Sequence, residues 1–295
     1  MFPRSLSLST KATLLMITAA LFFSWLGASV RLLSSSIHPF EIVFFRCLFG
    51  FVFMVPWLIK YWAGFLGSNQ WGLYFWRSCL SLLGTLFSFM GLALIPFAQA
   101  TALSFTIPIF ATILSIILLN EKVRYRRWSA IIVGFAGILI IIRPDMHNIN
   151  YGMIYTLAAA FITALVTVIV KKLTATESVY AIVLHTTFIL TPLSLPLALF
   201  HWSWPEWQDW PWLIGIGFSG SIAHLCMVYS FSLADASHVM AYDYIRMIFA
   251  VILGWFLFSE LPDLWTWIGS AIIILSTLYI AYREKVLKKE RAKLA

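Results

Sequence analysis

Ten long apolar segments follow one another along this chain, and they limit its fold more than any other feature of the sequence. A helix needs about 20 mostly apolar residues to cross the hydrocarbon core of a bilayer. Only 11% of the residues are charged, whereas a soluble domain carries about 25%. Polar groups are therefore too few to cover a soluble globule. The sequence predicts an all-helical integral membrane protein with ten transmembrane helices.

The predicted spans are separated by short connections. They cover residues 12–33, 39–60, 71–95, 97–119, 128–142, 151–170, 179–200, 211–233, 237–258 and 264–282. A connection as short as Ile95-Pro96-Phe97 forces the two helices that it joins to run antiparallel. The fifth span is the shortest, and tilt or neighbouring helices can accommodate it.

The distribution of basic residues predicts the orientation of the spans. With the N-terminus in the cytoplasm, 15 basic residues fall on the cytoplasmic side and two, Arg31 and Arg143, fall outside. Six of the 15 lie in the last thirteen positions, and four lie in the loop at 122–127. We therefore expect a multi-pass protein of the bacterial inner membrane with both termini in the cytoplasm.

The net charge of +8 does not indicate nucleic-acid binding. The basic residues flank apolar segments, where they set topology or contact anionic lipid. Cys47, Cys79 and Cys226 lie inside apolar runs and have no metal-binding spacing. We expect no metal site and no cofactor. The expected partners are the lipid bilayer and a small-molecule substrate, and the oligomeric state stays open.

The second half of the chain repeats the first half at an offset of 139 residues, so that Glu121 aligns with Glu260. Each half holds five spans, an odd number, so the second half must enter the membrane with opposite polarity. The charges agree, because Glu121 precedes a basic loop whereas Glu260 precedes Leu261-Pro262-Asp263.

We therefore predict two inverted five-helix repeats, the first at 1–147 and the second at 148–283, followed by a basic cytoplasmic tail at 284–295. Inverted repeats of this kind are typical of secondary transporters, whose substrate site lies between the halves near the midplane of the membrane.

Four motifs give the chain a resemblance to a known family. They are His38-Pro39-Phe40-Glu41-Ile42-Val43-Phe44-Phe45-Arg46, Ala98-Gln99-Ala100-Thr101-Ala102 continuing to Ile107-Pro108, Leu119-Asn120-Glu121, and Phe258-Ser259-Glu260-Leu261-Pro262-Asp263. With them the chain resembles the drug/metabolite transporter superfamily, in its EamA branch of ten-helix proteins. Within that branch it is most similar to S-adenosylmethionine uptake carriers, although Tyr242-Asp243-Tyr244-Ile245-Arg246 departs from the pattern.

Besides Arg31 and Lys60 at the ends of their spans, five charged residues lie inside the predicted spans: Glu41, Arg46, Arg77, Asp243 and Arg246. A charge in the hydrocarbon region costs at least about 2.5–3.5 kcal/mol, so such residues normally face a cavity or a partner. Arg46 lies about 10 Å below the outer end of the second span. We expect its guanidinium to bind a substrate carboxylate. The alternative is a structural role, with Glu41 or backbone carbonyls neutralising it.

Asp243 and Arg246 are three residues apart and therefore share one side of the ninth span. With Tyr242 they form an aromatic-walled patch that holds one cation and one anion, which suits a zwitterionic or amino-acid-like solute. Arg77 lies at a depth similar to that of Asp243, so an Arg77–Asp243 pair is also geometrically allowed. The alternative function of such charges is to fix helix packing.

Aromatic and titratable side chains supply further candidates. Trp25 and Phe105 can stack on a planar or cationic group, although packing or lipid contact is the alternative for each. His185 and His224 are isolated intramembrane histidines that can titrate near neutral pH. Proton coupling would need a titrating carboxylate, and the candidates are Asp243 and Glu41.

These features predict a secondary transporter that moves a small polar organic metabolite by alternating access. The family resemblance makes S-adenosylmethionine uptake the leading candidate, and an exporter of amino acids or other metabolites is the alternative. No glycine-rich phosphate loop with a following lysine is present, which argues against direct ATP drive. An intramembrane lipid-modifying enzyme would need a paired nucleophile and base, and the sequence offers only scattered Ser and His. We therefore expect a protein that is not an enzyme.

Overall fold

The computed structural model describes residues 8–60, 70–119, 125–143, 150–173, 177, 179–233 and 242–294. Several features predicted above lie outside the described residues. They are Glu121, the side chains of the basic loop at 122–127, the beginning of the ninth span at 237–241, and the side chains of the tail from 283 onward.

Every regular element in the described part of the chain is a helix, as the sequence predicts. The helices are α1 (Leu8–Leu33), α2 (Pro39–Lys60), α3 (Trp71–Leu94), α4 (Phe97–Ser104), α5 (Ile107–Leu119), α6 (Tyr125–Ile142), α7 (Tyr151–Leu173), α8 (Val179–Leu199), α9 (Trp210–Leu233), α10 (Arg246–Phe258) and α11 (Leu264–Leu294). By length and composition, five helical stretches can cross a membrane, and α4 with α5 counts as one of them. The last helix continues to Leu294, well beyond the predicted end of its span.

The fourth predicted span is broken into α4 and α5 by a turn at Phe105 and Thr106. Pro108 explains the break, because proline has no N–H to donate and its ring clashes with the carbonyl four residues earlier. The N–H groups of the two turn residues bond to carbonyls only three residues back, at 3.2 Å and 3.1 Å. The chain therefore interrupts a helix inside the membrane-spanning bundle.

The ninth span is broken at the equivalent place. A turn at Tyr244 and Ile245 precedes α10, and these two positions lie 139 residues after Phe105 and Thr106. Met247 stands where the first repeat has Pro108, so local sequence does not explain this second break. The break is nevertheless a shared property of the two repeats.

Two pairs of equivalent helices begin and end at the same offset of 139 residues. Helices α3 and α9 match at both ends, and so do α5 and α10. The packing follows the same symmetry, because α1 lies along α9 while α3 lies along α7, which exchanges the first and third helices of the repeats. Helix α2 also packs on its counterpart α8, and α6 on α11. The fold is thus the predicted pair of inverted five-helix repeats.

Small residues allow the closest of these approaches. A Cβ atom on Gly137 of α6 would stand 2.9 Å from the carbonyl oxygen of Gly269 in α11, and a Cβ on Gly269 would stand 2.7 Å from the carbonyl of Gly137. Backbones that approach this closely are typical of helix pairs in membranes, where small residues line the contact.

Candidate functional site: a cavity between the repeats

A cavity of about 380 Å³ lies in the middle of the bundle, between the repeats. It is within the range of about 300–1,000 Å³ that small-molecule sites occupy. Its wall includes three guanidinium groups and one imidazole, from Arg46, Arg77, Arg246 and His224. Hydroxyl side chains from both repeats complete the polar lining, among them Ser81, Ser104, Thr163 and Thr187.

The two broken helices cross at their breaks. The ring centroids of Phe105 and Tyr244, which occupy equivalent positions in the two repeats, are 5.1 Å apart in a T-shaped contact. The Tyr244 hydroxyl is hydrogen-bonded to Thr277 of α11. The contact between Phe105 and Tyr244 therefore packs the two breaks against each other at the edge of the cavity.

Arg246 connects the two breaks through its side chain. Its Nη2 lies 3.2 Å from Oδ2 of Asp243 and 3.3 Å from Oγ of Ser104. Its guanidinium also lies over the ring of Phe105, 5.3 Å from the centroid. Asp243 lies 139 residues after Ser104, so Arg246 contacts the same position of both repeats. Ser104 was not predicted from the sequence as a site residue, although the repeat offset aligns it with Asp243.

Arg46 lines the cavity from α2 and does not pair with Glu41. Its Nη2 lies 3.5 Å from Nε2 of His224 in α9. Gly220, one turn earlier on α9, faces the same side chain, and a Cβ there would be in ordinary van der Waals contact with Nε of Arg46, at 3.7 Å. The contact with His224 was not foreseen from the sequence.

Arg77 also lines the cavity, and its allowed pairing with Asp243 is not formed. Its Nη1 donates to the carbonyl oxygen of Ile182 in α8, at 3.4 Å. Asp243 instead pairs with Arg246 on its own span. Asp243 and Arg246 are only three residues apart, so they are within reach of each other whatever the tertiary packing.

Other candidates lie away from the cavity wall. Trp25 is 39% exposed on the outside of the bundle and stacks on Trp212, with ring centroids 5.6 Å apart. Tyr242 and Phe105 are not part of the lining, and Phe105 is buried between the breaks. His185 stacks on Tyr74, with centroids 4.2 Å apart.

Glu41 is fully buried and also lies outside the cavity lining. Its carboxylate accepts hydrogen bonds from the backbone N–H and from the hydroxyl of Ser203, in the connection between α8 and α9. Next to it, the rings of His38 and His201 lie 4.1 Å apart. Burial lowers the pKa of His38 below its ordinary value, and His201 lowers it further while Glu41 opposes the shift. Glu41 thus anchors a loop at one end of the bundle.

A second set of charges joins the repeats at that same end. Arg31 of α1 pairs with Glu260, which follows α10, and also donates to the carbonyl of Leu92 at 3.0 Å. Glu260 accepts a further bond from the backbone N–H of Phe97, at 3.3 Å. Arg143 pairs with Asp263 nearby. We call these two ion pairs the inter-repeat latch, and the end of the bundle that carries them the Arg31 end.

Comparison with known proteins agrees with this architecture. The EamA-like transporter family matches the chain twice, over residues 10–143 and 150–282. A protein of Rickettsia bellii named S-adenosylmethionine uptake transporter is 32% identical over 86% of this chain and 88% of its own length. A protein of Vibrio cholerae named riboflavin transporter is 35% identical over 77% of each chain.

A solved crystal structure resembles the fold with a TM-score of 0.64, covering 94% of this chain and 99% of its own, at 18% identity. Its similarity supports the fold alone. The two family matches together cover nearly the whole bundle, and the relatives are transporters by name. This chain is a membrane transporter, not an enzyme, and it belongs to the EamA-like transporter family.

Proposed function

We propose that this protein is a secondary carrier of the bacterial inner membrane, which binds a small polar organic metabolite in the cavity between its repeats. The observation that carries this proposal is the crossing of two broken helices at a polar cavity, with Arg246 contacting both breaks. Broken helices at equivalent positions of inverted repeats are typical of transporter substrate sites. Alternating access then follows from rocking one repeat against the other.

The substrate carries a carboxylate or a comparable anionic group, because the polar wall of the cavity is rich in guanidinium groups. Arginine recognises carboxylates through two parallel N–H donors. S-adenosylmethionine is the first compound to test, since it contains a carboxylate and gives the Rickettsia bellii relative its name. Export of amino acids or other metabolites is the alternative direction, because a carrier runs down whichever gradient drives it.

Of the two coupling candidates, Asp243 is the one that we retain. Its carboxylate contacts Arg246, which lines the cavity, so an anionic substrate and the Asp243 carboxylate can compete for the same guanidinium, and protonation of Asp243 would release it. Glu41 is bonded to a loop instead. The orientation that we propose keeps both termini in the cytoplasm, on the basis of the 15 to 2 bias of basic residues.

Flux into liposomes that contain the purified chain tests the proposal. We expect saturable uptake of radiolabelled S-adenosylmethionine or another carboxylate-bearing metabolite, and loss of that uptake in Asp243→Ala and Arg246→Ala. Gly72→Ala is the matched control, because nothing lies within 4 Å of a Cβ at that position. Asp243→Asn, assayed between about pH 5 and 8, reports on proton coupling. Normal uptake by both alanine variants would contradict the proposed site.

A further inference from the structure

The cavity carries more positive charge than its surroundings neutralise. Three arginines line it, and no Asp or Glu is present among the described residues of the lining. Arg246 has a carboxylate partner in Asp243. Arg46 and Arg77 have no carboxylate partner anywhere in the described part of the chain.

The contacts of Arg46 do not neutralise its charge. Nη2 lies against Nε2 of His224, and an imidazole nitrogen that accepts from a guanidinium belongs to a neutral ring. Nε of Arg46 is buried and has no hydrogen-bond partner. The guanidinium is held in place with a donor still unused.

The contacts of Arg77 on α3 likewise do not neutralise its charge. Its Nη1 donates to a neutral backbone carbonyl, and its buried Nε has no partner. Arginine cannot lose its proton inside a protein. Within the described part of the chain no carboxylate neutralises Arg46 or Arg77, so both charges can pair with a bound anion.

The two charges line the same cavity. Arg46, Arg77 and His224 are all part of the wall of this space of about 380 Å³. A single small solute can therefore reach both guanidinium groups.

The hydroxyls of the lining have the opposite character. Thr187 donates to the carbonyl of Val183 at 2.9 Å, Thr85 to that of Ser81 at 2.8 Å, and Ser221 to that of Gly217 at 2.9 Å. Because each hydroxyl has already used its proton, its oxygen is left as an acceptor. The cavity thus offers cationic donors at two points and neutral acceptors elsewhere.

We propose that the cavity selects an organic dianion, whose two negative charges pair with Arg46 and Arg77 and whose body carries hydroxyl or amino donors. This inference rests on the proposed function, since it takes the cavity to be the substrate site. The proposal restricts the substrate class to dianions. A solute of net positive charge, such as S-adenosylmethionine, leaves one of the two guanidinium groups unpaired.

The test is ligand-dependent thermal stability of the purified full-length protein in detergent. The probes are malate and glycerol 3-phosphate as hydroxylated dianions, dimethyl malate and glycerol as their uncharged counterparts, and S-adenosylmethionine. We expect at least one dianion to raise Tm in a saturable manner, and its uncharged counterpart to have no effect. The inference is wrong if neither dianion stabilises the protein more than its counterpart does.

Substitutions make the test specific to the two arginines. In Arg46→Gln and Arg77→Gln we expect the affinity for the stabilising dianion to fall about tenfold or more. Without ligand, both variants should be at least as stable as the parent, because each loses an unpaired buried charge. Arg246→Gln should instead be less stable, because it leaves Asp243 without its partner. Lys11→Gln removes a positive charge outside the lining and should change neither quantity.

Two outcomes separate this inference from the proposed function. Uptake of S-adenosylmethionine into liposomes, without binding of either dianion, would overturn the dianion site and leave the carrier intact. Arginine-dependent binding of a dianion, without flux of any solute, would leave the binding site intact and overturn the carrier. Dianion binding that persists unchanged in both glutamine variants would place the anion elsewhere and overturn the inference.

Discussion

The five charged residues that the sequence places inside the membrane have three kinds of surroundings. Asp243 and Arg246 neutralise each other beside the helix breaks. Arg46 and Arg77 line the cavity and have no carboxylate partner among the residues that the structure describes. Glu41 is fully buried but bonds to the backbone and hydroxyl of a loop residue. A charged side chain inside the membrane therefore has a different role in each case, and its contacts determine that role.

The role of Glu41 as the anchor of a loop can be tested by substitution. Glu41→Gln removes the charge that accepts two bonds from Ser203, and hydrogen bonds to charged groups contribute about 1.5–3 kcal/mol. We expect a lower Tm by scanning fluorimetry, with the apparent KM for uptake and its pH dependence unchanged. Ser203→Ala removes only one bond and should have about half the effect.

Glu206→Gln is the control, since Glu206 is an exposed acid of the same loop that contacts Gln208. If Glu41→Gln kept full stability and abolished the pH dependence of uptake, Glu41 would be a coupling residue and not a loop anchor.

At the scale of helices, two features organise the bundle: the paired helix breaks, which lie at the cavity, and the close glycine contacts. The break between α4 and α5 places Ser104 beside Arg246, and the break before α10 places Asp243 there as well. The contact between α6 and α11 lies apart from these breaks and depends on backbones that nearly touch at Gly137 and Gly269. Each repeat contributes one helix to every one of these contacts.

The glycine contact can be tested with one methyl group. Gly269→Ala would bring a Cβ within 2.7 Å of the carbonyl of Gly137, which α6 can avoid only by moving away from α11. Overpacking of this kind costs about 1–3 kcal/mol, so we expect a lower Tm in detergent. Gly72→Ala is the matched control in α3, where a Cβ meets open space, and it should be neutral or slightly stabilising. Equal effects of the two substitutions would contradict this account.

At the scale of the whole molecule, the inter-repeat latch joins the first repeat to the second at the Arg31 end. Arg31 holds the end of α3 through the carbonyl of Leu92, and its partner Glu260 holds the start of α4 through Phe97. In the alternating-access cycle that we propose, opening of the cavity toward this end separates these groups. We therefore expect the latch to break and re-form during transport.

A reporter cysteine measures this opening. We place Ser88→Cys in the cavity wall, in a chain whose three native cysteines are replaced by serine, and add a membrane-impermeant thiol reagent outside spheroplasts. Glu260→Gln removes the ion pair with Arg31 and weakens the hydrogen bond from the Phe97 N–H, so we expect faster labelling. Glu206→Gln, at the same end, should leave the rate unchanged. Slower labelling in Glu260→Gln would show that the latch does not close the Arg31 end.

Much of the fold follows from local sequence. The apolar spans are long enough to be recognised one by one, and Pro108 marks the first helix break. The repeat offset relates α3 to α9 and α5 to α10 without knowledge of any contact. The site is less predictable, because Arg46 and His224 are 178 positions apart, and nothing in either local sequence indicates the other. Trp25 shows the same limit, since an aromatic side chain in a span can face a cavity or lipid.

The sequence by itself determined that this chain spans a membrane, that it consists of two related halves of opposite polarity, and which few charges lie within the bilayer. These properties follow from hydropathy, from residue counts and from a fixed offset, all of which are local or additive along the chain. Only the tertiary structure decided which of these charges have a carboxylate partner among the described residues and which line the cavity without one. The physical reason is that neutralisation depends on distances of a few ångströms between helices that are far apart in the chain.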